Sequence, residues 1–200
     1  MDDKLNALLA RIKQLESELV AEIKEKERKF GYEVRENKVR FKEAVLARHR
    51  QAAKSLARYL REARLFSILS APVIWFCIVP VVFMHLVANA YQFICFPIYG
   101  IPKVRRRDYI IMDRRRLRYL NSVERFNCVY CEYVNGLLAY VQEIAGRTEQ
   151  YWCPIKHAVS LKTRHSRYPH FLDYGDAEHF RQKIESVRRD FDDLKKPAGQ

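Results

Sequence analysis

Three cysteines and one histidine in the second half of the chain have the spacing of a metal site. Cys128 and Cys131 form a C-x2-C pair, and Cys153 and His157 form a C-x3-H pair, with twenty-one residues between the two pairs. Brought together by two antiparallel helices, the two pairs would make a tetrahedral Cys3His zinc site. Because protein side chains would fill all four positions, the predicted zinc is structural and leaves no place for a substrate water.

The same residues fit other chemistry, and the sequence leaves these alternatives open. A C-x-x-C pair can cycle between dithiol and disulfide, although no thioredoxin-like strand and helix surround this one. An iron–sulfur or haem site is a further alternative, for which the Cys153-Pro154 step is a hint. In the simplest alternative, the cysteines are buried thiols that pack on a helix face.

The apolar pattern predicts the helices that would position these ligands. Asp113 is predicted to cap a helix that runs to about Ala145, where Gly146 suits a helix end. Pro154 suits the first turn of the next helix, which would carry His157. The apolar residues that predict the first helix are Leu117, Leu120, Val134, Leu138 and Val141.

A long uncharged stretch precedes this region. Residues 65–102 contain no Asp, Glu, Lys or Arg, and about 20 apolar residues are enough to span a bilayer. Pro72 and Pro80 are predicted to bend the segment. It is therefore predicted to be a membrane-embedded helical segment, either a single span or a re-entrant hairpin bent near Pro80. The hairpin is favoured, since it keeps both basic flanks and both termini on the cytoplasmic side.

The formal net charge of +13 indicates anionic partners. Basic side chains on both flanks of the uncharged stretch are predicted to contact anionic phospholipid, at about 1 kcal/mol each near the surface. A nucleic-acid partner is less favoured, because no recognition motif accompanies the basic clusters. The predicted lipid-contact residues are Arg58, Arg61, Arg64, Lys103, Arg105, Arg106 and Arg107.

Residues 1–64 are predicted to form one long amphipathic, coiled-coil-like helix. Residues 3–64 contain no proline and a single glycine, Gly31, and their apolar positions repeat every eleven residues from Leu8 to Ala63. Such a repeat is typical of a nearly straight or weakly right-handed coil, which would reach roughly 90 Å. The stripe predicts pairing with another helix, in a homo-oligomer or with a partner; the alternative is folding back on its own chain.

The basic C-terminal region, residues 103–200, is predicted to be a small helical domain built around the Cys3His site. A final amphipathic helix is predicted from Asp176 to about Leu194. With the arm at 1–64 and the membrane segment at 65–102, the predicted fold class is all-α.

Part of the chain resembles a family of uncharacterised bacterial membrane proteins. The resemblance covers residues 70–158 and is carried by the stretch FPIYGIPKVRRRDYIIMDRRRLRYLN and by the following block with its C-x2-C and W-C-P-x2-H motifs. It implies a location in the bacterial inner membrane and the importance of Cys128, Cys131, Cys153 and His157. It implies no catalytic role.

An enzyme would have to use a loose cluster of histidines and carboxylates as general base and orienting group. No nucleophile motif, phosphate-binding glycine loop or paired-carboxylate spacing accompanies that cluster. The sequence therefore predicts a membrane-anchored scaffold or adaptor, with a membrane-bound enzyme or thiol redox protein as the alternative. The cluster comprises His165, His170, Asp173, Asp176 and Glu178, and a predicted surface charge network comprises Glu143, Arg147, Glu149 and Lys156.

Overall fold

The chain is mostly helical, as the sequence predicts. A computed structural model describes residues 2–35 and 38–195, without the side chains of residues 2–10, 13 and 195. The elements are α1 (Asp2–Phe30), β1 (Tyr32–Arg35), β2 (Lys38–Phe41), α2 (Glu43–Ala52), α3 (Leu56–Glu62), α4 (Leu65–Phe76), α5 (Ile78–Tyr99), α6 (Ser122–Trp152), α7 (Ala177–Val187) and α8 (Asp192–Lys195), with short 3-10 turns at Arg106–Asp108, Arg114–Arg116 and Tyr168–His170.

The first helix ends at Phe30, so the prediction of one continuous helix over residues 1–64 is wrong. Gly31 has a φ of 63°, a conformation that favours glycine. A Cβ atom at this position would lie 2.6 Å from Cγ2 of Val45. Glycine therefore permits both the left-handed turn and the close approach of α2.

An antiparallel hairpin replaces the middle of the predicted helix. Tyr32 pairs with Phe41 and Val34 with Val39. Aromatic and β-branched side chains at every second position are the pattern of a strand. The eleven-residue repeat passes through Val34 and Phe41 and hides this alternation.

The structure divides into two units, and the first comprises α1 to α3 with Asp113–Cys128. His49 of α2 connects the hairpin to the later segment through aromatic contacts. The His49 ring packs edge-on against Phe41 and Tyr119, with both centroid distances at 5.0 Å. This unit is therefore assembled from two stretches that are distant in sequence.

In the second unit, α4 and α5 together form an interrupted helix over Leu65–Tyr99. By its length and composition, this helix could cross a membrane. The interruption falls at Cys77, whose φ and ψ of −61° and −11° remain near-helical. The chain therefore makes no tight reversal at the predicted bend. Pro80 lies in the first turn of α5, where its missing N–H needs no intrahelical partner.

The start of α6 is fixed by Asn121 and not by Asp113. Asn121 Oδ1 accepts from the backbone N–H groups of Val123 and Glu124, both at 3.0 Å. Glu124 Oε2 accepts in return from the Asn121 N–H at 3.0 Å. This reciprocal pair is a capping box, and it starts the helix later than predicted.

The same helix continues through Gly146, where the sequence predicts its end. A Cβ atom on Gly146 would lie 2.6 Å from Nδ1 of His165, so this glycine makes room for an imidazole ring. Pro154 starts no helix. The neighbouring Ile155 forms an isolated parallel β-bridge with Leu172, and within this bridge the Pro154 carbonyl accepts from the Leu172 N–H at 2.8 Å.

The helices α5 and α6 run parallel, and residues 101–112, here called the return segment, run back along them. Contacts of α5 with α6 advance in the same direction, from His85 with Tyr133 to Tyr99 with Tyr151. Arg147 Nη1 donates to the Pro102 carbonyl at 2.7 Å. The buried core at this junction includes Phe96, Ile101, Val104, Ile110, Leu137, Tyr140, Ile144 and Phe191.

The predicted C-terminal helix starts where expected. Asp176 caps α7, since its side chain accepts from the His179 N–H at 3.2 Å. The helix ends at Val187, earlier than the predicted Leu194, and α8 follows. Gln150 of α6 donates to the Val187 carbonyl at 2.9 Å, which fastens this end of the chain to α6.

Candidate membrane-facing site

The helix α5 has two different faces. His85, Ala88, Gln92 and Phe96 are buried on one side. The opposite side carries large apolar side chains that are between 60% and 72% exposed: Phe83, Leu86, Phe93, Ile94 and Ile98. A continuous exposed apolar surface of this kind marks a site for a membrane or another apolar partner.

A chain of hydrogen bonds lies beneath the buried face of α5. Tyr140 OH donates to Asn89 Oδ1 at 2.8 Å and accepts from the side-chain amide of Gln92. Gln92 Oε1 accepts from the Val104 N–H at 2.9 Å. Burial raises the pKa of the Tyr140 phenol, against the smaller opposing effects of the Gln92 hydrogen bond and the Arg106 charge. The phenol therefore stays protonated. This series of hydrogen bonds fixes the register of α5, α6 and the return segment.

His85 extends this polar network towards the start of α5. Its Nδ1 lies 2.8 Å from Tyr133 OH, and its carbonyl accepts from Asn89 Nδ2 at 2.9 Å. Within the described part of the chain, His85 Nε2 is buried and has no hydrogen-bond partner. The network spans about two turns of α5 and is lined by α6 throughout.

An apolar groove of about 720 Å³ lies between α5 and α6. Phe83, Val87 and Tyr91 of α5 line it together with Ile144 and Trp152 of α6. At its lip, Tyr91 OH lies 3.1 Å from Thr148 Oγ1. The groove can take up an acyl chain or an apolar side chain.

Glu143 and Arg147 form a buried ion pair on α6, so their predicted place in a surface network is wrong. Arg147 Nε donates to Glu143 Oε1 at 2.8 Å, and the two side chains are only 8% and 6% exposed. Ser166 Oγ donates to Glu143 Oε2 at 2.6 Å. The pair links α6 to the return segment through Pro102 and to the loop that carries Ser166.

Arg167 is buried to 1% exposure and joins three parts of the chain. Its guanidinium donates to Gln150 Oε1 at 2.6 Å and to the two carboxylate oxygens of Asp193 at 2.5 and 3.1 Å. It also donates to the Asp190 carbonyl at 3.0 Å. The hydrogen bond from Arg167 holds the pKa of the Asp193 carboxyl below its usual value. Nothing in the local sequence pattern distinguishes Arg167 from its exposed neighbours.

The predicted zinc ligands are not brought together. Cys131 lies in α6 and Cys153 directly follows it, so the two are separated by about 33 Å at 1.5 Å per residue. The His157 ring stacks on Tyr168 at 6.0 Å, and Cys128 is a half-buried free thiol. Over the residues that the structure describes, no three His, Cys, Asp or Glu side chains are grouped to hold a metal. The antiparallel helix pair that the site required is not formed, because α6 continues to Trp152 and the chain that follows it, from Cys153 to His157, is not helical.

Comparisons with protein-family models, curated proteins and solved structures each found no match.

The predicted lipid-contact residues are all exposed. Lys103 Nζ lies 4.5 Å from the ring centroid of Phe93, which places one of these cations at the edge of the apolar face of α5. The full exposed set is Arg58, Arg61, Arg64, Lys103, Arg105, Arg106 and Arg107.

The histidines and carboxylates considered for catalysis serve separate structural contacts. Asp176 caps α7, and Asp173 pairs with Lys156 at 2.7 Å. His165 Nε2 lies 3.0 Å from Glu149 Oε2. His170 lies 3.6 Å from an Asp190 carboxylate oxygen. These side chains are distributed over different contacts and do not converge on one reacting centre.

Proposed function

We propose that the protein is a membrane-anchored scaffold that assembles by pairing α1 with the same helix of a second copy. The observation that carries this proposal is an exposed apolar stripe on α1. Its side chains are between 47% and 60% exposed and recur at helical spacing on one face: Ile12, Leu15, Leu19, Ile23 and Phe30. Such a stripe on a helix about 43 Å long is buried by coiled-coil pairing.

The charges of α1 favour a second copy as the partner. The helix Asp2–Phe30 contains seven acidic and seven basic residues, whereas the whole chain carries a net charge of +13. All of the excess positive charge therefore lies outside α1. Two copies of α1 can approach without net repulsion. Lys26 falls on the stripe itself and pairs with Glu22 of its own helix, and a single charged residue at such a position can select the register of the pair.

The remainder of the chain supplies the anchor. The Leu65–Tyr99 segment provides apolar surface for the bilayer, and the exposed basic residues on its two flanks provide attraction to anionic headgroups. Hydrophobic insertion together with basic side chains gives stable anchoring, where either contribution alone is weaker. The scaffold would thus assemble at an anionic membrane surface.

Adding charge to the stripe is expected to abolish self-association. In the Leu19→Lys/Ile23→Lys variant, two lysines would have to be buried between the paired helices. The matched control, Ser17→Lys/Ala21→Lys, adds the same charge at the same four-residue spacing on the opposite face of α1. The mass of the protein part of each complex is measured by light scattering in mild detergent, after circular dichroism has shown equal helix content.

Wild type and the control are expected to have at least twice the mass of one chain, and the stripe variant the mass of one chain. A wild-type chain that is monomeric at micromolar concentration, or a stripe variant that assembles as well as the control, would contradict the proposed assembly.

A further inference from the structure

The surroundings of α5 differ from those of a single membrane span. A lone spanning helix meets lipid around its whole circumference and is apolar on every side. In α5, only the face of Phe83 and Ile94 is exposed. The opposite face carries His85, Asn89 and Gln92, hydrogen-bonded to α6 and to the return segment.

The return segment places arginines beside the middle of α5. Its Val104 N–H is bonded to Gln92, and its Tyr109 ring lies 6.2 Å from that of Tyr140, which bonds Asn89. The arginines Arg105, Arg106 and Arg107 lie between these two anchor points and are exposed.

An exposed guanidinium at the middle of a spanning helix would lie near the centre of the hydrocarbon, where it loses its hydration. Basic side chains near the ends of a span reach the interface by snorkelling, but a charged side chain at the middle of a span remains costly. On α6, the half-buried carboxylate of Glu149 lies beside the second half of α5, near Tyr91. The middle of α5 therefore has water near one side and an exposed apolar surface on the other side.

The geometry points to an α5 that lies along the membrane–water interface and does not cross the hydrocarbon core. Its exposed apolar face enters one leaflet, while α6 and the return segment stay on the water side, with the arginines at headgroup level. At 12 residues, α4 is about 18 Å long, too short to cross by itself. Both ends of the segment then remain on one side of the membrane. This inference rests on the proposed membrane anchor.

Depth measurements along the exposed face of α5 test this orientation. In the full chain with Trp75→Phe and Trp152→Phe, a single tryptophan is placed by four separate substitutions: Phe83→Trp, Val87→Trp, Ile94→Trp and Ile98→Trp. Each variant is reconstituted in phosphatidylcholine–phosphatidylglycerol vesicles whose acyl chains are brominated at known depths. The quenching profile gives the depth of each indole.

The interfacial orientation predicts four equal depths, within about 4 Å, because the four positions share one face of α5. If α5 crossed the bilayer, Val87 would lie about 2 Å and Ile98 about 14 Å from the midpoint, a difference of about 12 Å. Such a gradient would overturn the interfacial orientation while leaving the anchor intact. No quenching at any position would overturn the anchor itself.

A second readout needs no substitution in α5. Epitope tags on the two termini of the otherwise unaltered chain are exposed to protease in sealed membrane vesicles. Both tags should be cleaved, or both protected, in the same vesicle preparation. One cleaved and one protected tag would show that the chain crosses the membrane and would overturn the interfacial orientation.

Discussion

Replacing Arg167 with alanine is expected to lower the free energy of unfolding by about 3–5 kcal/mol, because it removes a fully buried side chain together with the hydrogen bonds that it donates to interior acceptors. The guanidinium satisfies Gln150 Oε1, the Asp190 carbonyl and the Asp193 carboxylate. Without it, the first two acceptors are left in the interior with fewer partners, which itself destabilises the fold. The tether between the 3-10 turn, α6 and α8 is lost as well.

The effect of Arg167 is measured by urea unfolding in mild detergent, followed by circular dichroism. Arg167→Lys keeps the charge but cannot reproduce the planar fork that contacts both Asp193 oxygens, so an intermediate loss is expected. The control is Arg189→Ala, since Arg189 is 77% exposed and pairs only at the surface with Glu185; its expected change is within about 0.5 kcal/mol. Equal unfolding curves for Arg167→Ala and Arg189→Ala would show that the buried network contributes little.

Removing Arg147 is expected to be comparably damaging, by about 3–5 kcal/mol, because Glu143 would remain buried without its counter-ion. Ser166 Oγ also donates to that carboxylate, but it carries no charge to balance it. The Pro102 carbonyl would also lose its guanidinium partner. The connection between α6 and the return segment would therefore loosen where the arginines Arg105 to Arg107 begin.

The double variant Glu143→Leu/Arg147→Met separates the charge effect from loss of packing. Replacing both charges by apolar side chains of similar size removes the unpaired group, so most of the stability lost in Arg147→Ala is expected to return. The same urea titration provides the measurement. A double variant that is less stable than Arg147→Ala would mean that the ion pair itself, and not the burial of a lone carboxylate, dominates at this site.

The apolar segment and the cap of α7 could be predicted from sequence because both are local signals. A run of uncharged residues and an aspartate before a helical pattern do not depend on distant contacts. The polar face of α5 was also visible in principle. His85, Asn89 and Gln92 are spaced by four and three, so they share one helix face and mark it as the side that meets protein.

Other features depend on contacts between residues that are far apart in sequence. Gly146 suits a helix end by local rules, but His165 occupies the space where its Cβ would be. The Cys3His prediction depended on that helix end. In the N-terminal region, the eleven-residue repeat hides the strand period of Tyr32 and Val34, and Gly31 provides the turn that ends α1. Buried charges such as Arg167 were missed because charged residues are usually at the surface.

Membrane anchoring is tested most directly by alkaline carbonate extraction of isolated membranes that contain the chain. The membranes that remain after extraction are then floated on a density gradient. Anchoring by the Leu65–Tyr99 segment predicts that the chain floats with the lipid after extraction. Recovery of the intact chain as a folded, detergent-free protein in the soluble fraction would contradict anchoring, and with it the interfacial position of α5.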